Sequence, residues 1–386
     1  MKVAFELQPL MSVMTGIGFS AFELTRNIES QKGKDFEIEG LYFNFLRRHN
    51  DKLIKESFNF PRKSIAFLPR EVLLKAGRWF PFNYNNIFGS DADIFHFFAS
   101  VVPPKIKGKV VLTIHDLLFL RFPEAVDEKY FKFIRNEQGK SLERADWIIA
   151  VSEFTKKEII DFFDISPEKI SVVYNGVNPE QFNSPIDTSF AKKIKKKYNL
   201  PEKYFLHVGT LQPRKNLERL VLGYNEYCRG KNKDEHLVLA GTKWHKFEPL
   251  MEKIVELELE SKVHVIGYIE EKEKPLIYKM AQALVFPSIY EGFGIPPLEA
   301  MAAGVPVAAA RSSAIPEVVG DAAYLFDPYC SDEIATALEE ISGNYQLRDN
   351  LIKKGHERIK KFTWRKAATQ TIEIYKKLMG KGGGNG

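Results

Sequence analysis

Short apolar runs rich in β-branched and aromatic residues alternate with amphipathic stretches of helical period along most of the chain, which is the pattern of parallel α/β architecture. The runs predict strands at Lys2–Leu7, Phe36–Phe45, Ala92–Phe98, Val110–His115, Trp147–Ser152 and Ile170–Val177. A second series follows at Tyr204–Gly209, His236–Ala240, Val263–Tyr268, Ala283–Pro287, Val305–Ala310 and Ala322–Phe326. Two series imply two doubly wound sheets. Between them the stretch 178–203 carries Pro179, Pro185 and the basic run Lys192–Lys197, which places a boundary near residue 180. Residues 1–180 then form one Rossmann-like domain and 181–363 a second, and a last helix over 364–380 is expected to pack back toward the first. The final residues, 381–386, read as a flexible tail.

The stretch 51–86 breaks the alternation, mixing aromatic and basic residues around Phe67, Leu73, Leu74, Arg78, Trp79 and Phe80. It either lies on lipid headgroups as an amphipathic surface or packs as an insertion on its own domain.

Composition narrows the classes. The 386 residues are 44% hydrophobic and 27% charged, enough for two globular domains, and no apolar run approaches the length of a membrane span. No signal peptide is expected. Cys228 and Cys330 lie far apart in sequence and suit neither a disulfide framework nor a metal cluster, so a reducing, cytoplasmic setting is expected. The formal charge of +6 favours anionic ligands in general, while no basic-aromatic module or zinc spacing of nucleic-acid binders is present.

In open α/β sheets ligands bind at the carboxyl ends of strands, and three strand-end loops carry suitable chemistry. After Gly209 come Pro213, Arg214, Lys215 and Asn216, then a helical face of Leu217, Leu220, Val221 and Tyr224, with Asn216 placed as an N-cap. Cations directly before a helix N-terminus oppose its dipole, a conflict that a bound diphosphate would resolve; solvated surface cations are the alternative. The second loop, Ser288 to Gly304, places Glu291 before Gly292, Phe293 and Gly294, then Pro297 and Glu299 in the opening turn of a helix. Its glycines let backbone amides approach an anion, and the two glutamates can line one pocket with different tasks. The third is Thr113–Asp116, where His115 leaves an apolar strand. Near the N-terminus Gly16 and Gly18 form a Gly-x-Gly-x-x-Ala pattern too far from its strand for a tight dinucleotide turn, and read as a flexible loop admitting acceptor or phosphate.

These segments together resemble the retaining GT-B glycosyltransferases of family 4, among them the bacterial mannosyltransferases. Glu291 to Glu299 matches the family's Glu-x7-Glu motif within Glu-Gly-Phe-Gly-x-Pro, and Gly209-Thr210 with Pro213-Arg214-Lys215-Asn216 matches a second motif. Val151–Phe154 and Asn175–Val177 look like further landmarks of the family. The resemblance implies two Rossmann-like domains facing across a cleft and transfer of a hexose from GDP-mannose or a UDP-sugar to a saccharide or lipid-linked saccharide. It implies that Arg214 and Lys215 hold the diphosphate, Glu299 the ribose and Glu291 the sugar hydroxyls, with Gly209, Gly292, Phe293 and Gly294 lining the donor site. Gly267 and Tyr268 would lie near the base, and His115 would reach the transferred sugar from the other domain. No metal is demanded, since guanidinium, ammonium and helix amides can stabilise the leaving diphosphate. Partners implied are the nucleotide sugar, the acceptor and a peripheral membrane contact, with no nucleic acid. An epimerase of the same fold, a catalytically silent sugar-nucleotide-binding subunit and a NAD-dependent dehydrogenase stand as alternatives.

Overall fold

The computed structural model describes all residues except 12–15, 35, 71, 74–82, 99–100, 124–127, 184–186, 231–232, 244–246 and 381–386. Contacts divide the chain into a first unit, Met1–Gly176 with the chain from Trp364 onward, and a second, Val177–Thr363.

Among the described residues the first unit holds seven parallel strands: β1 (Lys2–Glu6), β2 (Glu37–Phe43), β3 (Arg62–Ile65), β4 (Ile94–Phe97), β5 (Lys109–Ile114), β6 (Trp147–Ala150) and β7 (Ile170–Val172). They lie in the order β3-β2-β1-β4-β5-β6-β7. β3 corrects the expectation that 51–86 interrupts the alternation. Arg62, Lys63 and Ser64 carry no apolar period, because β3 is an edge strand that pairs only with β2, from Gly40↔Arg62 to Phe43↔Ile65, and buries only Ile65. A charged outer edge of this kind also resists pairing with other chains. Phe67 is exposed and Leu73 is in the core, while Leu74 and the Arg78–Phe82 stretch, on which the membrane expectation rests, lie outside the described residues.

The helix Gly16–Gln31 packs on the terminal helix Trp364–Leu378. Ala21, Leu24 and Ile28 on one and Ala367, Ala368 and Thr371 on the other are buried, Phe19 meets Trp364 edge-on at 6.1 Å, and Thr369 Oγ1 donates to Gln31 Oε1 at 2.8 Å. Tyr375 reaches the sheet, with its hydroxyl 2.5 Å from His96 Nδ1, and His96 Nε2 is 2.7 Å from Thr113 Oγ1.

The second unit's parallel strands fall at the six places its sequence pattern predicts: β8 (Tyr204–Val208), β9 (His236–Ala240), β10 (Val263–Gly267), β11 (Ala283–Phe286), β12 (Val307–Ala310) and β13 (Tyr324–Phe326), in the order β10-β9-β8-β11-β12-β13. β8, β11 and β12 are buried throughout, as expected of central strands covered on both faces. The chain runs outward from β8 to β10, then returns to the other side of β8 at β11. That reversal is a topological switch point, where the carboxyl-end loops part and a ligand can enter.

The helix Leu217–Cys228 covers one face of this sheet and packs against the helix Ser331–Gly343 through Gly223. A Cβ on Gly223 would lie 2.7 Å from Ile334 Cβ and 2.8 Å from the Ser331 carbonyl oxygen. Alanine gains about 1 kcal/mol of helix propensity, but the carbonyl belongs to backbone and cannot swing aside. Gly223→Ala is therefore expected to destabilise the protein by about 1–3 kcal/mol in chemical denaturation. Unchanged or increased stability would show that the two helices separate freely.

Candidate active site

The loop after β8 begins with Gly209 at φ +155°, and Gly241, after β9, takes φ +152°. A Cβ on Gly241 would fall 1.8 Å from the Gly209 carbonyl oxygen, so only glycine permits this approach of the two strand ends. Pro213–Lys215 then forms one 3-10 turn, and the helix proper starts at Leu217. Asn216, expected as its N-cap, stands at that junction in the left-handed region (φ 59°) and makes no cap hydrogen bond. Its side chain turns instead toward the neighbouring loops, where Nδ2 donates to Pro287 O at 3.2 Å and Pro328 O at 2.7 Å. Ile289 N–H donates to Arg214 O at 2.9 Å and Arg214 Nη1 to Tyr290 O at 2.9 Å. The loops after β8 and β11 are thus sewn together.

This brings Arg214, Lys215 and Glu291 into one cluster. Glu291 Oε2 receives Arg214 Nη1 at 2.8 Å and Oε1 receives Lys215 Nζ at 2.5 Å. All three are largely buried: Lys215 is 6% and Glu291 8% exposed. The Gln212 amide, oriented with its oxygen toward Arg214, accepts from Nε at 3.0 Å and Nη2 at 3.1 Å. Lys215 Nζ also sits 4.9 Å above the Phe286 ring centroid. Burial alone would raise the Glu291 carboxyl, but the charges of Arg214 and Lys215 and their hydrogen bonds outweigh it and hold the group down to about 2. The cations placed before the helix therefore have an anion from the chain itself, and the dipole argument alone does not require an external one.

Glu299 goes elsewhere. The helix Ile295–Ala302 starts after Gly294 (φ 107°) with prolines in its opening turn, which puts Glu299, 3% exposed, beyond that first turn and not in it as its sequence position suggested. Its Oε2 accepts from Tyr278 OH at 2.8 Å and its Oε1 from Lys274 Nζ at 3.3 Å; Lys274 also meets Glu271 at 2.8 Å. Burial raises the Tyr278 hydroxyl well above its ordinary range, with the Glu299 charge adding to it; burial lowers Lys274, but the charges of Glu299 and Glu271 prevail and raise it. Tyr278 and Lys274 were not singled out in the sequence, although their i, i+4 spacing on the short helix Lys274–Lys279 puts both on one face. Gly267, at φ +74°, ends β10, and Tyr268 beside it is 46% exposed, an aromatic surface at the same carboxyl edge. In the Glu291 loop Gly292 is buried and Phe293 packs edge-on against Phe362 at 5.8 Å.

In the first unit Gly16 and Gly18 open the helix Gly16–Gln31; they do not sit in a loop, and residues 12–15 before them lie outside the described residues. His115 follows β5 and is half-buried; burial lowers its imidazole to about 4, and its Nε2, itself out of solvent, has no hydrogen-bond partner. It lines a small, nearly apolar cavity with Thr113, Phe98 and Trp364. Among the described residues no three His, Cys, Asp or Glu side chains are grouped to hold a metal ion, and no helix is long and apolar enough to cross a membrane.

Residues 33–181 match the family model described as Glycosyltransferase Family 4, and residues 190–358 match Glycosyl transferases group 1. The O-antigen chain mannosyltransferase B of Escherichia coli is 28% identical over 395 aligned positions that cover 98% of this chain and 100% of that protein. The O-antigen chain mannosyltransferase RfbU of Salmonella typhimurium is 32% identical over 239 residues, 62% of either chain. Among solved structures, a sucrose-phosphate synthase from Thermosynechococcus elongatus superposes with a TM-score of 0.76 at 19% identity, covering 98% of this chain and 99% of the other. Anabaena HepE in complex with UDP and glucose does so at 0.76 and 18%, covering 98% and 100%. These two likenesses establish the fold.

The titrating groups set an acid limit on stability. His207 on β8 and His96 on β4, like His115, are held neutral by burial, the first two down to about 3. Below the ordinary imidazole value of 6.5 the unfolded chain takes up protons that these folded rings refuse, so stability falls as the pH drops, by about 1.4 kcal/mol per pH unit for each ring. Glu291 adds to the loss from its ordinary 4.5 down to about 2, where the unfolded chain is protonated and the folded carboxylate is not. The unfolding free energy should therefore decline steadily from pH 7 to pH 5 and more steeply below 4.5. A plateau between pH 7 and 5 would contradict the neutral, buried state of these rings.

Proposed function

Because the chain belongs to the GT-B glycosyltransferases of family 4, we propose that it transfers a hexose, mannose in the first place, from a nucleoside-diphosphate sugar to a saccharide or lipid-linked saccharide acceptor with retention of anomeric configuration. The observation that carries this reading is the buried Arg214–Glu291–Lys215 cluster at the switch point of the second sheet. Mannose is supported by the names of the two bacterial relatives, and GDP-mannose as donor is what the resemblance of the sequence implies.

In this reading Glu291 occupies its cations only until the donor arrives. The diphosphate takes the guanidinium and ammonium as charge-assisted partners, and the released carboxylate turns to the sugar hydroxyls. Glu299, held from behind by Tyr278 and Lys274, presents its remaining lone pairs to the ribose, and Tyr268 offers its face to the base. His115, a neutral imidazole with an unpartnered Nε2, offers a sugar hydroxyl a hydrogen-bond donor or acceptor according to its tautomer, and Gly16 and Gly18 place helix amides where acceptor or phosphate can use them.

The anomeric carbon–oxygen bond breaks and its electron pair leaves with the diphosphate. The acceptor hydroxyl adds to the anomeric carbon on that same face, and its proton passes to the departing phosphate oxygen. Charge therefore develops on the diphosphate, and fixed cations in a low-dielectric site stabilise it without reorganising. Front-face attack is preferred because double displacement needs a carboxylate against the reacting carbon, and Glu291 already has the sugar hydroxyls as its task.

The test is incubation with a panel of nucleotide sugars and mannosylated acceptors, with product anomers assigned by NMR. GDP-mannose should be consumed fastest and the α-anomer retained; an inverted product, or no turnover of any nucleotide sugar, would overturn the reading. Lys215→Ala or Arg214→Ala should weaken nucleoside-diphosphate binding by about 10-fold or more, the loss of one charge-assisted hydrogen bond. Glu291→Gln should do the reverse. It removes the competing carboxylate, so affinity for the bare nucleoside diphosphate holds or rises in calorimetry while transfer falls about 10²-fold. Equal losses of nucleotide affinity in Glu291→Gln and Lys215→Ala would place Glu291 on the nucleotide and not on the sugar.

A further inference from the structure

We propose that His207 is a positioning residue of the donor site, a neutral hydrogen-bond acceptor set against the Lys215 ammonium to direct it toward the diphosphate. The inference rests on the reading of Lys215 as a diphosphate ligand. His207 lies in the central strand β8, two residues before Gly209, with no exposed surface. Its Nδ1 is 3.2 Å from the Val285 carbonyl oxygen. A carbonyl only accepts, so Nδ1 carries the proton, and in a neutral ring the other nitrogen, Nε2, is left as a lone pair.

That Nε2 is buried and has no hydrogen-bond partner. An unmet acceptor in a dry interior is costly, and such a group commonly marks a function. What it faces is given by Gly209: a Cβ built there would lie 3.4 Å from His207 Nε2 and 3.4 Å from Lys215 Nζ. His207 Nε2 and Lys215 Nζ thus border the same small space, the one that the absent side chain of Gly209 leaves between them. The Phe286 ring completes the arrangement, stacked on the imidazole at 6.1 Å between centroids and 16° between planes while its face carries the ammonium. Burial and then the Lys215 charge keep His207 unprotonated, with the charge of Glu291 opposing only weakly.

The chemistry follows from the donor count. An ammonium has three N–H groups, and when the diphosphate displaces Glu291 one of them must find a second acceptor or be wasted. The imidazole lone pair supplies it without adding charge. A carboxylate in its place would compete with the phosphate, and a protonated ring would repel the lysine. Glutamine can do both tasks of His207, donating to Val285 O and accepting from Lys215; leucine can do neither.

Calorimetry with GDP and UDP, and with guanosine and uridine as uncharged controls, tests this on the wild type, Lys215→Ala, His207→Gln, His207→Leu and the double variant His207→Leu/Lys215→Ala. His207→Leu should weaken diphosphate binding about tenfold and leave nucleoside binding alone, His207→Gln should stay within about threefold of wild type, and the double variant should bind no worse than Lys215→Ala. Losses that add in the double variant, or that are equal for the nucleoside, would overturn the proposal and leave His207 a packing residue. If Lys215→Ala binds the diphosphates as wild type does, the donor reading itself fails; if it binds weakly while His207→Leu is unaffected, only the role of His207 fails. Should His207→Leu not fold, NMR of the ¹⁵N-histidine-labelled wild type and Lys215→Ala decides. The His207 Nε2 resonance should move on adding GDP or UDP to the wild type and not to the variant, and an unmoved resonance in the wild type contradicts the proposal.

Discussion

One carboxylate between two cations organises the second unit's carboxyl edge. Glu291 is buried with Arg214 and Lys215, and none of the three is tolerable there alone, because an isolated charge in a protein interior costs far more than its packing returns. A buried ion pair of this kind adds little net stability compared with apolar residues of the same volume, so its presence calls for another reason. The reason consistent with the site is readiness. In the proposed function the two desolvated cations are neutralised by a carboxylate that the donor diphosphate replaces.

The surrounding structure reads as the means of holding that cluster. The reversal of strand order at β8 and β11 lets two strand-end loops part, and those loops carry the cations and the carboxylate respectively. Gly209 and Gly241 let the strand ends approach within a distance no side chain would permit, while Asn216 gives up its cap to tie the loops to one another. Behind them, Tyr278 and Lys274 fix Glu299, and Phe286 and His207 floor the lysine. Each is a residue whose own position is set by packing before it acts on the next.

Most of the second unit was legible from the pattern of residues, because buried central strands such as Tyr204–Val208 and Ala283–Phe286 write their position as continuous apolar runs. β3 was not, since an edge strand of Arg, Lys and Ser needs no apolar face and so leaves no period. The motif residues were found, but their pairing was not. Spacing placed Glu291 and Glu299 in one motif, whereas the pairing of Glu291 with Arg214 and Lys215 spans more than seventy residues and depends on the order of strands in the sheet. Asn216 shows the same limit at short range: its residue type fits an N-cap, and the left-handed backbone that denies it that task is imposed by the turn before it. His207 gives no signal in the sequence, because a histidine inside an apolar strand has the look of a core residue. Only the folded chain brings its unpartnered nitrogen and the Lys215 ammonium to the same space beside Gly209.

In the proposed function the carboxylate of Glu291 keeps the place of the donor diphosphate. A crystal structure of the protein with GDP or UDP bound tests this most directly. The prediction is that diphosphate oxygens lie within hydrogen-bonding distance of Arg214 and Lys215 and that Glu291 has left at least one of them. A nucleotide bound with the Arg214–Glu291–Lys215 cluster intact and its phosphates elsewhere would contradict it.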